Sequence, residues 1–305
     1  MTEAFFILGG FILLLGGGES LVRGAVALSH RLRLSPTVIG LTVVGFGTST
    51  PELLTSLQAA FARAPGIAVG NVVGSNIANI LLIVGAAALV RPLLADRTIA
   101  RDLWVMLGAT ALALIVVLAG DLSRLTGLAC VIALATYLTL ALRTAPAVAE
   151  DRPLFTPLSR TLATLLTGLI ATLIGARLLV TGAVDLAAAF GLSQALIGVT
   201  IVAVGTSLPE LVSSVIAARK GEGGLAIGNV IGSNIFNILG ILGLTALVRP
   251  IPVPDVIAAF DIWVMVAAAL ALLILPLRGW GVGRGAGLLL LGAYAAYLTT
   301  LALQV

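Results

Sequence analysis

The sequence predicts an all-α membrane protein with ten transmembrane helices, arranged as two inverted-topology repeats of five. Three observations lead to this fold class: the apolar composition, the spacing of apolar runs and an internal repeat. Of the 305 residues, 60% are hydrophobic and 10% are charged, against roughly 25% charged in soluble domains. The composition excludes a soluble fold. The net charge of +4 then indicates cationic residues in short loops beside lipid headgroups, and it does not indicate nucleic-acid binding.

Ten apolar runs, each near the roughly 20 residues that cross a bilayer, define the predicted helices. A polar connection with three prolines separates the fifth run from the sixth, and we interpret residues 144–159 as a cytoplasmic linker. The first five-helix repeat then covers residues 1–143, and the second covers residues 160–305. The runs lie near residues 4–28, 37–61, 67–90, 102–120, 125–143, 160–189, 194–218, 224–248, 259–277 and 284–303.

An internal repeat relates residues 40–92 to residues 198–250, in which about 30 of 53 positions are identical. Each residue lies 158 positions before its counterpart, as Glu52 lies before Glu210. Because five is an odd number of helices, the second repeat enters the membrane from the opposite side. The resulting inverted topology is typical of secondary transporters.

The cationic residues are divided unequally between the two predicted membrane faces. Twelve Lys and Arg residues fall on the face that holds the 144–159 linker, and only Arg63, Arg124 and Arg249 fall on the other. The positive-inside rule makes the richer face cytoplasmic. We therefore expect a multi-pass protein of the plasma (inner) membrane with both termini outside.

Two carboxylates lie inside apolar runs at equivalent positions, Glu52 in GTSTPE and Glu210 in GTSLPE. A charged side chain at the bilayer centre costs at least about 2.5–3.5 kcal/mol. Neither run contains a basic residue at the same depth. A bound cation or a proton is therefore the expected neutralising partner.

Further oxygen donors accompany each carboxylate. Thr48 precedes Glu52 by four residues and shares its helix face. Pro51 removes an amide donor and frees a carbonyl near Gly47. The second repeat has the same arrangement with Thr206, Pro209 and Gly205. Carboxylate, hydroxyl and carbonyl oxygens suit Ca²⁺ or Na⁺, and the absence of His and Cys from these motifs argues against zinc and copper.

A second duplicated motif, GNVVGSNIAN at 70–79 and GNVIGSNIFN at 228–237, places amides and hydroxyls in the next apolar run. Asn71, Ser75 and Asn79 follow one another at a spacing of four and form a polar stripe. A parallel stripe of small residues lets another backbone approach closely. It consists of Gly66, Gly70 and Gly74 in the first repeat and Gly224, Gly228 and Gly232 in the second.

The paired GTSxPE and GNVxGSNIxN motifs, with five spans per repeat, resemble the sodium/calcium exchanger family of the cation/calcium exchanger superfamily, in particular its prokaryotic antiporters of two repeats. The motifs cover about a third of the chain, and the ten-span layout covers nearly all of it. This resemblance implies a midplane ion site between spans 2, 3, 7 and 8, and first and sixth helices that slide to open alternate sides.

The resemblance also implies a set of ion ligands. Some members have Asp where this chain has Asn79 or Asn237, so only two carboxylates remain here. The implied side-chain ligands are Thr48, Ser49, Glu52, Ser75, Asn79, Thr206, Ser207, Glu210, Ser233 and Asn237, with backbone carbonyls near Gly45 and Ala203.

These observations predict a secondary-active antiporter, not an enzyme, that exchanges Ca²⁺ for Na⁺ by alternating access. H⁺ in place of Na⁺ is the alternative, and a cation channel is a remoter one. We expect Ca²⁺, Na⁺ and the lipid bilayer as partners, with no cofactor, no nucleic acid and no obligate protein partner. An ATP-driven pump would need a phosphate-binding motif or a sizeable cytoplasmic domain, which this chain lacks.

Two further predictions concern the first and sixth spans. Glu19 is spaced to pair with Arg23 on its own helix, and its repeat counterpart Arg177 is the alternative partner. Glycines at 16–18, 175 and 182 offer smooth surfaces. We therefore expect these two spans to be the moving element.

Overall fold

The computed structural model describes residues 2–94, 99–144, 157–190, 203–273, 279 and 281–303. These residues are almost entirely helical. The long helices are α1 (Thr2–Leu32), α4 (Pro65–Val90), α5 (Ala100–Ala119), α6 (Arg124–Arg143), α7 (Leu158–Ala189), α10 (Gly223–Val248) and α12 (Arg284–Leu303). The shorter ones are α2 (Pro36–Thr48), α3 (Thr50–Phe61), α8 (Ala203–Thr206), α9 (Leu208–Lys220) and α11 (Ile257–Ala271).

The seven long helices are each apolar and long enough to cross a membrane. Apolar side chains such as Phe5 and Leu8 of α1 and Leu289 of α12 are largely exposed, as expected for a surface that faces lipid. Polar residues are instead concentrated inside, around α2, α3, α4 and their counterparts in the second repeat.

The two GTSxPE motifs interrupt their helices. The sequence treats residues 37–61 as one run, but the structure divides it at Ser49 (φ −81°, ψ 10°), and a second break falls at Ser207 (φ −89°, ψ 7°). Pro51 and Pro209 then stand in the first turns of α3 and α9, where a missing amide donor is tolerated. The start of the predicted 194–218 run lies outside the described residues, as does most of the 144–159 linker.

Glycines bring α1 and α7 together as an antiparallel pair. Gly10, Gly17 and Gly24 repeat every seven residues on α1, and their counterparts do the same on α7. A Cβ on Gly17 would lie 2.5 Å from the backbone nitrogen of Thr172, and one on Gly24 would lie 2.6 Å from that of Leu165. Only a hydrogen side chain allows this approach, so the stripe holds the two helices in contact.

Glycines also bring α10 against α2, as the sequence predicts. A Cβ on Gly228 or Gly232 would collide with the carbonyl oxygen of Thr37 or Leu41. The segment that would answer α2 in the second repeat, residues 194–202, lies outside the described residues.

Short strands connect the two halves of the chain. The strands β1 (Leu93–Leu94) and β4 (Gly281–Val282) pair antiparallel, as do β2 (Asp121–Leu122) and β3 (Ile251–Pro252). Each pair joins a connection of the first half to one of the second. The halves are therefore tied together outside the helices that contain the motifs.

Candidate functional site

The two buried carboxylates lie at the breaks between paired helices. Glu52 is in the first turn of α3 and is 1% exposed, and Glu210 is in the first turn of α9 and is 0% exposed. The amino-terminal end of a helix carries partial positive charge, which favours a carboxylate. The proline that ends the preceding helix thus creates a favourable environment for each Glu.

Hydroxyls from the first break reach residues of the second repeat. Ser49 Oγ donates a hydrogen bond to Glu210 Oε1 at 3.0 Å. Thr48 Oγ1 lies 3.0 Å from the carbonyl oxygen of Val44 and 3.4 Å from Asn229 Oδ1. The two GTSxPE motifs, far apart in sequence, therefore meet in one buried cluster.

The second motif completes the cluster from α4 and α10. Ser233 Oγ donates to the carbonyl of Gly45 at 3.1 Å. Asn79 Nδ2 donates to Asn234 Oδ1 at 2.9 Å, and Asn237 Nδ2 donates to Asn76 Oδ1 at 3.5 Å. Asn79 and Asn237 both lie in π-helical turns, Asn79–Val84 and Phe236–Leu242, a local geometry frequent at functional sites.

Five buried side-chain oxygens have no hydrogen-bond partner among the described residues. Leaving a buried oxygen unpaired costs about 1–3 kcal/mol, and more for a charged group. All five belong to residues that the resemblance implies as ion ligands. They are Glu52 Oε2, Glu210 Oε2, Asn79 Oδ1, Asn237 Oδ1 and Ser207 Oγ.

The structure places the remaining predicted ligands as follows. Ser75 is buried on α4, and Thr206 is half-buried at the end of α8. The Gly45 carbonyl already accepts the Ser49 amide and the Ser233 hydroxyl. Ala203 begins α8, and its side chain lies outside the described residues.

One predicted carbonyl donor is wrong for the first repeat. The Pro51 ring was expected to leave the carbonyl near Gly47 free, but the Thr50 hydroxyl donates to Gly47 O at 2.8 Å. The second repeat has Leu208 at that position, which has no hydroxyl to offer. The Thr50 hydroxyl contact therefore has no counterpart from residue 208 in the second repeat.

Asn71 and Asn229 hold the motif helices together. Asn71 Nδ2 donates to the carbonyl of Glu52 at 3.0 Å and to Ser56 Oγ at 2.9 Å. Asn229 Nδ2 makes the equivalent contacts, at 3.4 Å to Glu210 O and 3.2 Å to Ser213 Oγ. The two ends of the polar stripe therefore have different contacts: Asn71 binds α3, and Asn79 belongs to the buried cluster.

Sequence reasoning missed Asn76 and Asn234, which accept hydrogen bonds from the candidate ligands Asn237 and Asn79. Their duplication within the second motif was the available signal, because both follow a GS pair that occurs in each repeat. Within the described residues, no three His, Cys, Asp or Glu side chains form a group that could hold a metal ion. A cation here would have two carboxylates and otherwise neutral oxygens.

A cavity of about 490 Å³ lies beside the two helix breaks. It is lined by α3 from Thr50 to Gln58 and by α7 from Leu173 to Thr181, and it ends against Thr206 and Pro209. Gln58 and Arg177 at its mouth are exposed. The cavity therefore connects the helix breaks to the end of α3.

The fold and the site define a multi-pass membrane protein with a buried cluster of oxygen donors at paired helix breaks. A sequence profile of the sodium/calcium exchanger protein family matches residues 2–143 and 160–303. The chain belongs to this family, whose members are transporters rather than enzymes.

Individual relatives match over nearly their whole length. The putative antiporter CaxA of Alkalimonas amylolytica is 39% identical, covering 97% of this chain and 98% of its own. The sodium/calcium exchanger MaX1 of Methanosarcina acetivorans is 36% identical over 96% of each chain. A solved structure of the sodium-calcium exchanger NCX_Mj, soaked with 2.5 mM Na⁺ and 0.1 mM Ca²⁺, superposes with a TM-score of 0.88 at 35% identity, covering 98% of each chain.

Proposed function

We propose that this chain is a secondary-active antiporter that exchanges Ca²⁺ for Na⁺ by alternating access at the buried cluster. The observation that carries the proposal is the set of five unpartnered oxygens on Glu52, Asn79, Ser207, Glu210 and Asn237. A cation of six to eight oxygen ligands would satisfy them together. The family and the names of the relatives support the same cations.

The composition of the cluster favours Na⁺ over H⁺ as the counter-ion. Two carboxylates balance one Ca²⁺, two Na⁺ or two H⁺, so charge alone does not choose between the ions. Protonation of Glu52 and Glu210 would leave the oxygens of Asn79, Asn237 and Ser207 unsatisfied. A dehydrated Na⁺ uses such neutral oxygens as ligands.

We propose that the membrane arrangement is ten helices in two inverted repeats, residues 1–143 and 160–305, joined by a cytoplasmic linker at 144–159. The odd number of helices per repeat and the twelve-to-three distribution of cations support both termini being outside a plasma (inner) membrane. Single cysteines at positions 2 and 305 in a Cys130→Ala background should react with an impermeant maleimide from outside only. Labelling of either end from the cytoplasmic side alone would contradict this topology.

The helix pair α1 and α7 is the proposed moving element. Gly17, Gly175 and Gly182 lie inside the α1–α7 contact, so they bind the two helices to each other instead of offering a smooth outer surface. Gly18 faces α9, where a Cβ would lie 2.8 Å from Val212 Cγ1. The pair would therefore move as one body past α3 and α9.

Ion flux in reconstituted vesicles tests the function. In Ca²⁺-loaded vesicles at fixed pH, an inward Na⁺ gradient should drive Ca²⁺ efflux, and Asp121→Asn, which changes an exposed carboxylate, should leave this flux unchanged. Efflux driven only by a pH gradient would show that the counter-ion is H⁺ and not Na⁺. Efflux with neither gradient would identify a channel and contradict exchange.

A further inference from the structure

Two methionines contact the amide groups behind the candidate ligand asparagines. Met106 on α5 presents Sδ to Asn234 Nδ2 at 3.7 Å, and Asn234 Oδ1 accepts a hydrogen bond from Asn79 Nδ2 at 2.9 Å. We call Met106, Asn234 and Asn79 the first relay. Its last atom, Asn79 Oδ1, has no partner among the described residues.

The second repeat contains the same arrangement. Met265 on α11 presents Sδ to Asn76 Nδ2 at 3.8 Å, and Asn76 Oδ1 accepts from Asn237 Nδ2 at 3.5 Å. Met265, Asn76 and Asn237 form the second relay, and Asn237 Oδ1 is again unpartnered within the described part of the chain. Each relay crosses between the repeats, because the central asparagine comes from the other repeat. Such duplication makes a chance contact an insufficient explanation.

Every member of both relays is buried, with at most 2% of its surface exposed. Water is therefore not available to compete for the amide groups. In such an environment the orientation of an amide is set by the few protein atoms that it contacts.

The sulfur determines which way each amide faces. A thioether accepts hydrogen bonds weakly and donates none, so it favours the NH₂ group of Asn76 or Asn234. The amide oxygen of Asn76 or Asn234 must then face the candidate ligand asparagine, which donates a hydrogen bond to it from its own NH₂ group. The carbonyl oxygen of Asn79 or Asn237 is left pointing away from the relay and available to a ligand.

We propose that Met106 and Met265 are positioning residues that make Asn79 and Asn237, respectively, present their carbonyl oxygens to the transported cation. The inference rests on the proposed function and deepens it. Met106 acts on Asn79, and Met265 acts on Asn237. Leucine fills a similar volume but accepts no hydrogen bond, so Met265→Leu leaves the Asn76 amide without its directing contact.

The expected effect is a loss of cation affinity with little loss of maximal rate. Met265→Leu and Met106→Leu should each raise the KM for Ca²⁺ roughly tenfold, the low end of the effect of removing an outer partner of a metal ligand. Equilibrium binding of radioactive Ca²⁺ to the purified protein should weaken by the same factor. Ile262→Leu, a buried change on α11 one turn from Met265, should leave KM unchanged. Melting temperature in detergent reports whether each variant is folded.

Double variants distinguish positioning from general packing. Met265→Leu should weaken Ca²⁺ binding in an Asn79→Ala background but cause no further loss in an Asn237→Ala background, and Met106→Leu should show the reverse pattern. Equal losses in both backgrounds, or a KM shift matched by Ile262→Leu, would overturn the inference. Normal exchange with an unchanged KM in both Met→Leu variants would overturn the inference alone. Wild-type protein that neither binds nor exchanges Ca²⁺ would overturn the proposed function and this inference with it.

Discussion

The two faces of the buried site differ although the repeats that form them are closely similar. On one face α1 packs against α9, and a Cβ on Gly18 would lie within 2.9 Å of both Val212 and Ile216. On the other face, α7 leaves a cavity beside α3. The counterparts of Val212 and Ile216 are Leu54 and Gln58, which are exposed there.

The charges at the two faces differ as well. Glu19 on α1 accepts from Arg23 on its own helix at 2.8 Å and from Lys220 of α9 at 2.5 Å. This confirms the predicted pair with Arg23 and adds a partner from another helix. The repeat counterpart of Glu19 is Arg177 at the cavity, and that of Lys220 is Ala62. A cross-helix ion pair thus joins α1 and α9 at the closed face, and the described residues of α3 and α7 have no counterpart of it at these positions.

This difference shows that a near-symmetric sequence adopts an asymmetric state. Site hydroxyls reflect it too, because Ser49 binds Glu210 whereas Ser207 Oγ is unpartnered within the described residues. If α7 packed against α3 as α1 now packs against α9, and α1 withdrew from α9, the cavity would close and the opposite face would open. Under the proposed topology, the present cavity opens outside.

Replacement of either buried carboxylate should have the largest effect. Glu52→Gln and Glu210→Gln each remove one of two charges that balance Ca²⁺, so we expect Ca²⁺ affinity to fall at least about 100-fold and exchange to become undetectable. Vesicle flux measures exchange, and melting temperature in detergent checks the fold. Near-normal exchange in either variant would exclude that residue as a ligand.

Cysteine accessibility should separate the two faces directly. Thr55 lines the cavity, whereas its repeat counterpart Ser213 is 2% exposed. In a Cys130→Ala background, Thr55→Cys should react rapidly with an impermeant thiol reagent, and Ser213→Cys should react slowly. Equal rates at the two positions would contradict a one-sided cavity.

The glycine contact between α1 and α7 should tolerate no side chain. Gly17→Val would drive a branched side chain into the backbone of Thr172, and we expect a loss of about 1–3 kcal/mol or more of stability. The neighbouring Gly16 has no described atom within 4 Å of its Cβ position, so Gly16→Val is the matched control. Thermal unfolding in detergent should distinguish them, and equal melting temperatures would show that the stripe does not hold the pair.

Much of the site was predictable because its residues are costly in lipid. Glu52 and Glu210 are carboxylates inside apolar runs, and duplication marks them as a pair. The breaks at Ser49 and Ser207 were not predicted, because the apolar run from residue 37 to 61 continues on both sides of Pro51. The family expected from these motifs is confirmed by the match over residues 2–143 and 160–303.

The individual residue contacts between the two repeats could not be predicted from the sequence. Asn76 accepts a hydrogen bond from Asn237 of the other repeat. The spacing of residues along one helix cannot predict a contact of this kind. The smooth surface expected of Gly17 is instead an interface with α7, because periodicity identifies a stripe but not its partner. The repeated motifs, identical at about 30 of 53 positions, also do not indicate which face is open.

The ion pair on the closed face should give the smallest effect, because Glu19 and Lys220 are partly exposed. Lys220→Met removes the ion pair between α9 and Glu19 of α1. Arg23→Met removes an ion pair within α1 alone and is the matched control. An exposed pair contributes about 0.2–1 kcal/mol, so Lys220→Met should raise labelling of Ser213→Cys about 1.4- to 5-fold.

Salt gives this last prediction a second readout. Ionic strength near 1 M shortens the Debye length to about 3 Å, which weakens the Glu19–Lys220 attraction in the parent protein. The difference in Ser213→Cys labelling between the parent and Lys220→Met should therefore shrink in high salt, because both proteins then lack an effective link. Arg23→Met should follow the parent at both salt concentrations. If Arg23→Met instead matches Lys220→Met, charge on α1 governs access, and the link between α1 and α9 does not hold the face closed.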